Sequence, residues 1–159
     1  MTDRETDGEQ SDLFAADVGA PRLSISRPRP WETPYNGWGW DARCAVNPIQ
    51  RAMFRSGELI RPTVCSICGF SRPDQLNGSG FIYSHLERYD RPAEIYPVCK
   101  RHHADLHARF RQPMRWQGVL EGHSRPGEWF TLLSLDPASQ WRPFGETYKD
   151  GLPLPGKGL

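Results

Sequence analysis

The side chains that could do chemistry in this 159-residue chain gather between Cys65 and His107. Cys65-Ser66-Ile67-Cys68-Gly69 is followed, thirty residues on, by Cys99-Lys100-Arg101-His102-His103-Ala104-Asp105-Leu106-His107. Two pairs of the form Cys-x-x-(Cys/His) supply the four donors that a tetrahedral Zn2+ requires. Thiolate ligands are soft, which selects Zn2+ over Mg2+ or Ca2+. The two-residue gap lets both side chains of a pair turn inward from one tight turn, and Gly69 permits the positive φ such a knuckle needs. A disulfide or buried free thiols would use the same residues, but in a reducing compartment this spacing reads as a metal site. The ligands predicted for a structural zinc are therefore Cys65, Cys68, Cys99 and His102. His102 keeps the spacing to Cys99, and His103 is the competing fourth ligand. Cys44 stands apart from both pairs and reads as an ordinary core residue.

The remaining histidines suggest a second centre. His103 and His107 are four apart on a presumed helix, so both imidazoles project from one face and could share a second metal. His85 ends the strand-like run Phe81-Ile82-Tyr83-Ser84-His85, and a strand-to-helix fold could bring it opposite that face. Three histidines about a divalent ion suit phosphodiester hydrolysis, with the metal neutralising charge at phosphorus and a free imidazole deprotonating water. The plainer alternative has His107 facing solvent and His103 packed against the knuckle; spacing alone does not separate the two.

From Cys65 to His107 the chain resembles the zinc-containing branch of the HNH (His-Asn-His) endonucleases, which have a ββα-metal, treble-clef-like core. That pattern has Cys-x-x-Cys, then a His-His near a Tyr-x-x-Pro, then Cys-x-x-Cys-His-x-x-Leu-His. Here Tyr89-Asp90-Arg91-Pro92 matches the middle element, His102 stands at the fourth cysteine, and His103, Leu106 and His107 fall on His-x-x-Leu-His. The resemblance implies catalytic roles for His85, His103 and His107, with His103 and His107 holding a catalytic Mg2+ or Mn2+. Two positions depart from the pattern. Counted without gaps from Tyr89, His85 falls on the ligand position and Leu86 on the general base. One inserted residue would instead place His85 on the base and Ser84 on the ligand. No Asn lies between His85 and His103 to take the middle role.

The elements that must position these groups are short. Asn47 to Gly57 reads as a helix, capped by Asn47, entered through Pro48 and closed by Gly57. Phe81–His85 reads as a strand and Lys100–Arg111 as a helix with Leu106 and Phe110 on one face. Met114–Leu120 and Glu128–Leu135 read as two strands of a hairpin around the turn-rich 121–127. Trp31, Trp38 and Trp40 are expected to wrap onto a small core. The fold class is thus α+β: a small zinc-stapled ββα-metal, treble-clef-like core with a preceding helix and a following β-hairpin. Its parts are an acidic disordered tail (1–20), a Pro/Trp-rich extended segment (21–46), the zinc domain with its flanking helix and hairpin (47–136) and a loose C-terminal tail (137–159).

Composition limits the function classes. Gly and Pro number fifteen each, and the hydrophobic share is 37%, below the usual ~45–50%, so loops are extensive and the core modest. No run approaches the ~18 apolar residues of a membrane span, and the polar, acidic start is unlike a secretory signal. The expected partner list therefore has no membrane, and the expected location is cytoplasmic. The formal net charge of +1 conceals a segregation: residues 1–20 carry −5 and residues 43–125 carry +6. A basic middle beside an acidic tail suits a polyanion-binding surface that the tail screens. DNA is the expected partner, with Arg88, Arg91, Arg101, Arg109 and Arg111 as phosphate contacts. The expected function is an HNH-like, metal-dependent endonuclease hydrolysing DNA phosphodiester bonds. The alternative is a catalytically degenerate HNH-like zinc module that binds nucleic acid or a protein partner without cleaving.

Overall fold

Asn-Gly is the dipeptide that most readily closes a two-residue β-turn, because both central residues of the primed turn need positive φ. In the computed structural model, which describes residues 29, 31–71 and 82–156, Asn36 and Gly37 have φ of 48° and 81°. Tyr35 and Trp38 exchange backbone hydrogen bonds of 3.0 and 2.9 Å across them. Gly37 has a second constraint: a Cβ there would stand 2.8 Å from Cα of Pro143 and 2.9 Å from the Arg142 carbonyl oxygen. Gly37→Ala is therefore expected to cost at least about 1–3 kcal/mol, the price of a strained backbone site. A drop in the urea midpoint checks this; an unchanged midpoint contradicts it.

Helix α1 spans Trp40–Ser56, starting well before Asn47, and carries Pro48 inside rather than at its first turn. Pro48 leaves the Cys44 carbonyl without its helical partner, a loss that is bearable because most of α1 faces water and only Val46 is buried. The C-terminus follows the sequence reading, with Gly57 left-handed at φ 79°. Gln50 ties the helix down, its Nε2 donating to the Pro92 carbonyl at 2.9 Å.

Strands β1 (Ile82–His85) and β2 (Tyr96–Cys99) form a two-stranded antiparallel sheet pairing Ile82 with Cys99 and His85 with Tyr96. The second strand contains Pro97, tolerable because the sheet has only edges. The Pro97 carbonyl instead holds the cysteine knuckle, accepting from Ser66 N at 2.8 Å and Ser66 Oγ at 2.7 Å. The chain turns directly from β2 into α2 (Lys100–Ala108), which packs across both strands.

The hairpin expected over 114–135 is a correction. Residues Pro113–His123 form helix α3, and Trp129–Leu132 make a single 3-10 turn. Trp116, Val119 and Leu120 recur at three- and four-residue spacing, and burying that stripe against α2 outweighs the weak alternation. The expected loose C-terminal tail is also corrected over 137–156: it holds a 3-10 turn at Pro137–Gln140 and helix α4 (Phe144–Thr147). Phe144 and Tyr148 join the core, which centres on Tyr96, Val98, Leu106, Trp116, Trp129 and Phe130. The expectation for Trp31 and Trp40 fails as well, since both are exposed; the core indoles are Trp116 and Trp129. No helix among the described residues is long and apolar enough to cross a membrane. The sequence readings of residues 1–20 and of Phe81 lie outside the described residues.

Candidate metal centres

One short helix feeds two centres. Cys99 ends β2 and precedes α2, so His102 sits in the first helical turn, close behind it. His103 and His107 lie one residue and five residues further on, about 100° and 140° around the helix from His102. They therefore point to a different side.

The first centre is closed by backbone geometry. Gly69 (φ 73°) donates to the Cys65 carbonyl at 2.9 Å, and Cys65 N donates to the Phe70 carbonyl at 2.8 Å. This turn presents Cys65 and Cys68 to Cys99 and His102, and the four ligand atoms all lie within 4.8 Å of one another. Nδ1 of His102 is 3.7 Å from Cys65 Sγ and 3.3 Å from Cys99 Sγ. A tetrahedral site with metal–donor bonds of about 2.0–2.3 Å spaces its donors roughly 3.3–3.8 Å apart, so the set fits an ion such as zinc. Electrostatics agree. Against the upward pull of burial, hydrogen bonding with His102 and with the backbone N–H groups of Cys68, Cys99 and Ile67 brings the Cys65 thiol down to about 6. Burial lifts the Cys68 thiol to about 11. A divalent ion bound there would draw both sulfurs to the thiolate. The choice between His102 and His103 falls to His102.

The second centre joins His85, His103 and His107, whose ligand atoms also lie within 4.8 Å of one another. Nε2 of His103 and Nε2 of His107 are 3.1 Å apart. Tyr83 of β1 stacks on the His103 ring at 4.4 Å between centroids and fixes its plane. Burial first, then the neighbouring His85, pushes His103 down to about 3 and His107 well below its ordinary value. Both imidazoles are thus neutral near pH 7, the form that ligates metals. The plain alternative, His107 facing solvent and His103 against the knuckle, does not describe this geometry.

Behind His85 lies a buried polar network. Tyr35 OH donates to Glu87 Oε1 at 2.7 Å, and Asn36 Nδ2 donates to Glu87 Oε2 at 2.7 Å and to the Glu87 carbonyl at 2.8 Å. Arg109 donates to Tyr35 OH at 2.8 Å and lies 3.7 Å from Glu87 Oε2. His85 Nε2 is 2.9 Å from Glu87 Oε1 and 3.1 Å from Tyr35 OH. With Nε2–H donating to the carboxylate, Nδ1 keeps the lone pair, as in metal-binding histidines backed by a carboxylate. Although burial opposes it, Arg109, His85 and Tyr35 hold the Glu87 carboxyl below its ordinary value, so it stays charged. Leu86 is a core side chain.

Sequence reasoning missed Tyr35, Asn36 and Glu87. The Asn36-Gly37 dipeptide was the available signal for the first two; Glu87 carried none. Arg109 is a correction: it is 0% exposed and its guanidinium also bonds the Leu106 and Ser134 carbonyls, so it cannot meet a phosphate. Arg88 is paired with Asp90 at 2.6 and 2.8 Å, and Arg91 lies 3.7 Å from Glu94. Arg101 lies beside the cysteine cluster. Arg111 alone of the five shares a cleft with a histidine of the triad, His107, a space of about 410 Å3 lined by Thr33, Pro34, Tyr35, Arg43, His107, Arg111 and Gln140. Comparison with family models, curated proteins and solved structures gave no match.

Proposed function

We propose that this chain is an HNH-like, metal-dependent endonuclease that hydrolyses phosphodiester bonds in DNA, built on a ββα core stapled by zinc at Cys65, Cys68, Cys99 and His102. The observation that carries the reading is the convergence of His85, His103 and His107 on one point, with His107 also lining a cleft beside Arg43 and Arg111. A catalytic metal there would offset charge on the phosphoryl oxygens and the leaving group. His103 and His107 would hold it as neutral imidazoles. Three nitrogen donors suit Mn2+ and the later first-row ions better than Mg2+. Arg111 and Arg43 would bind phosphate oxygens and keep the scissile bond against His107. Glu87, fixed by Arg109 and Asn36, would hold His85 with its Nδ1 lone pair free. That lone pair either takes the proton from the attacking water or serves as the third metal donor.

One set of assays tests the reading. Plasmid nicking is expected with Mn2+ and more weakly with Mg2+, and His103→Ala and His107→Ala should each reduce it by at least a hundredfold. His85→Ala that keeps the second metal but loses nicking makes His85 the base; loss of both makes it a ligand. Robust nicking that survives the loss of both His85 and His107 would sink the assignment. The second reading, a nucleic-acid-binding module without cleavage, is favoured by Leu86 lying in the core where a general base could stand. Wild-type silence with every divalent ion, alongside intact DNA binding, would select it.

A further inference from the structure

Outside the metal centres, two of the exposed indoles, Trp31 and Trp40, lie against one another. Trp31 and Trp40 are 54% and 42% exposed, although the chain is short of core-forming residues. They meet edge to face, with centroids 6.3 Å apart and planes at 69°, so neither ring lies flat on the other. Each has a guanidinium over its ring: Arg29 at 5.5 Å from the Trp31 centroid and Arg43 at 5.4 Å from that of Trp40. Arg43 is also the bridge to the cleft. It donates to the Thr33 carbonyl at 3.1 Å, and both residues line the space that holds His107 and Arg111. Beyond Trp40, residues Arg51 and Arg55 fall on the same side of α1, eleven and fifteen positions along, or about 16 and 22 Å. Both are exposed. Among the described residues from 29 to 56 the acids are Glu32 and Asp41, and Glu32 is occupied by Arg29 at 3.6 Å. The stripe is therefore aromatic and net basic.

We infer that Trp31 and Trp40 form a stacking platform for unpaired bases of a single-stranded nucleic acid, with its backbone running from the α1 arginines into the cleft at His107 and Arg111. Exposed aromatic faces interleaved with arginines are the chemistry that holds single strands, because every base offers a π face whereas a stacked duplex hides its own. An apolar protein partner would want a broad patch without this charge; a duplex would engage the arginines and leave the indoles idle. The inference deepens the nuclease reading by naming its substrate class, a single-stranded or splayed segment, and rests on that reading only for cleavage.

The test measures binding apart from chemistry: fluorescence anisotropy of an end-labelled single-stranded DNA 20-mer and its duplex, with zinc-loaded protein and no added Mg2+ or Mn2+. The single strand is expected to bind roughly tenfold or more tighter than the duplex. Trp31→Ala and Trp40→Ala should each weaken the single strand about tenfold and the duplex little, with Trp40→Phe restoring part of the loss. Because binding is read without the ion that cleavage would need, a protein that fails to cleave leaves this result standing. Thermal melts of the variants confirm that surface changes left the fold intact. Equal affinity for strand and duplex, unaltered binding by both alanine variants, or no nucleic-acid binding at low salt would overturn the inference. The last outcome would point to a protein partner.

Discussion

Cys68→Ser is expected to leave the chain largely unfolded at 25 °C. Cys65, Cys68, Cys99 and His102 come from a turn, the end of β2 and the start of α2, and their convergence is what ties those three segments together. Among the described residues the sheet beneath them has two strands, too few to be stable alone. A zinc ion held by four such donors contributes on the order of 10 kcal/mol to folding, comparable with or greater than the net stability of a small domain. Losing one thiolate removes much of that. Far-UV circular dichroism and elemental analysis of the purified variant would measure the outcome, and prolonged chelation of wild type should reproduce it. About one equivalent of zinc at this centre is expected in wild type. A Cys68→Ser protein with a native melting profile would show that the fold does not depend on the ion.

Glu87→Ala is expected to destabilise the chain by about 3–5 kcal/mol, the usual cost of orphaning one member of a buried ion pair. Glu87 and Arg109 are both 0% exposed, and the carboxylate also receives Tyr35, Asn36 and His85. Removing it strands the guanidinium and frees three donors at once. The origin of the cost can be isolated, because deleting both charges is far cheaper than deleting one. The pair Glu87→Gln with Arg109→Met should thus lie at least about 2 kcal/mol above the sum of its single variants in urea unfolding. Simple additivity would mean that the two side chains act independently. A second readout separates support of His85 from support of the fold. Glu87→Gln keeps the shape but weakens the acceptor on Nε2, so affinity of the histidine triad for Co2+ should fall tenfold to a hundredfold. Unchanged Co2+ affinity in a folded Glu87→Gln protein would remove Glu87 from the site.

The cysteines that could hold a metal were legible in the chain because ligand chemistry is local. A two-residue gap between donors must form a tight turn, so spacing alone marks Cys65, Cys68 and Cys99, and leaves only the choice between His102 and His103. The same holds for His103 and His107, whose separation of four specifies one face of a helix wherever that helix lies. Short runs with mixed signals fared worse. Residues 114–120 show weak alternation and helical spacing together, and only the presence of α2 as a surface for Trp116 and Val119 makes the helix win. Pro48 reads as a helix start on local grounds, yet exposure of α1 makes an interior proline tolerable.

What only the tertiary structure decided is the surroundings of His85. Tyr35 is fifty positions from His85, Asn36 is fifty-one from Glu87, and Arg109 is seventy-four from Tyr35. No spacing rule spans such distances, because the contacts depend on how the Asn36-Gly37 turn, β1 and α2 pack. Packing likewise set the fates of the arginines and tryptophans. Arg109 follows α2 into the core one residue before Phe110, whereas Trp31 and Trp40 stay exposed, with no element of the described residues covering them. Residue type fixes what a side chain can do, but burial, which is a property of the assembled chain, fixes which of those things it does.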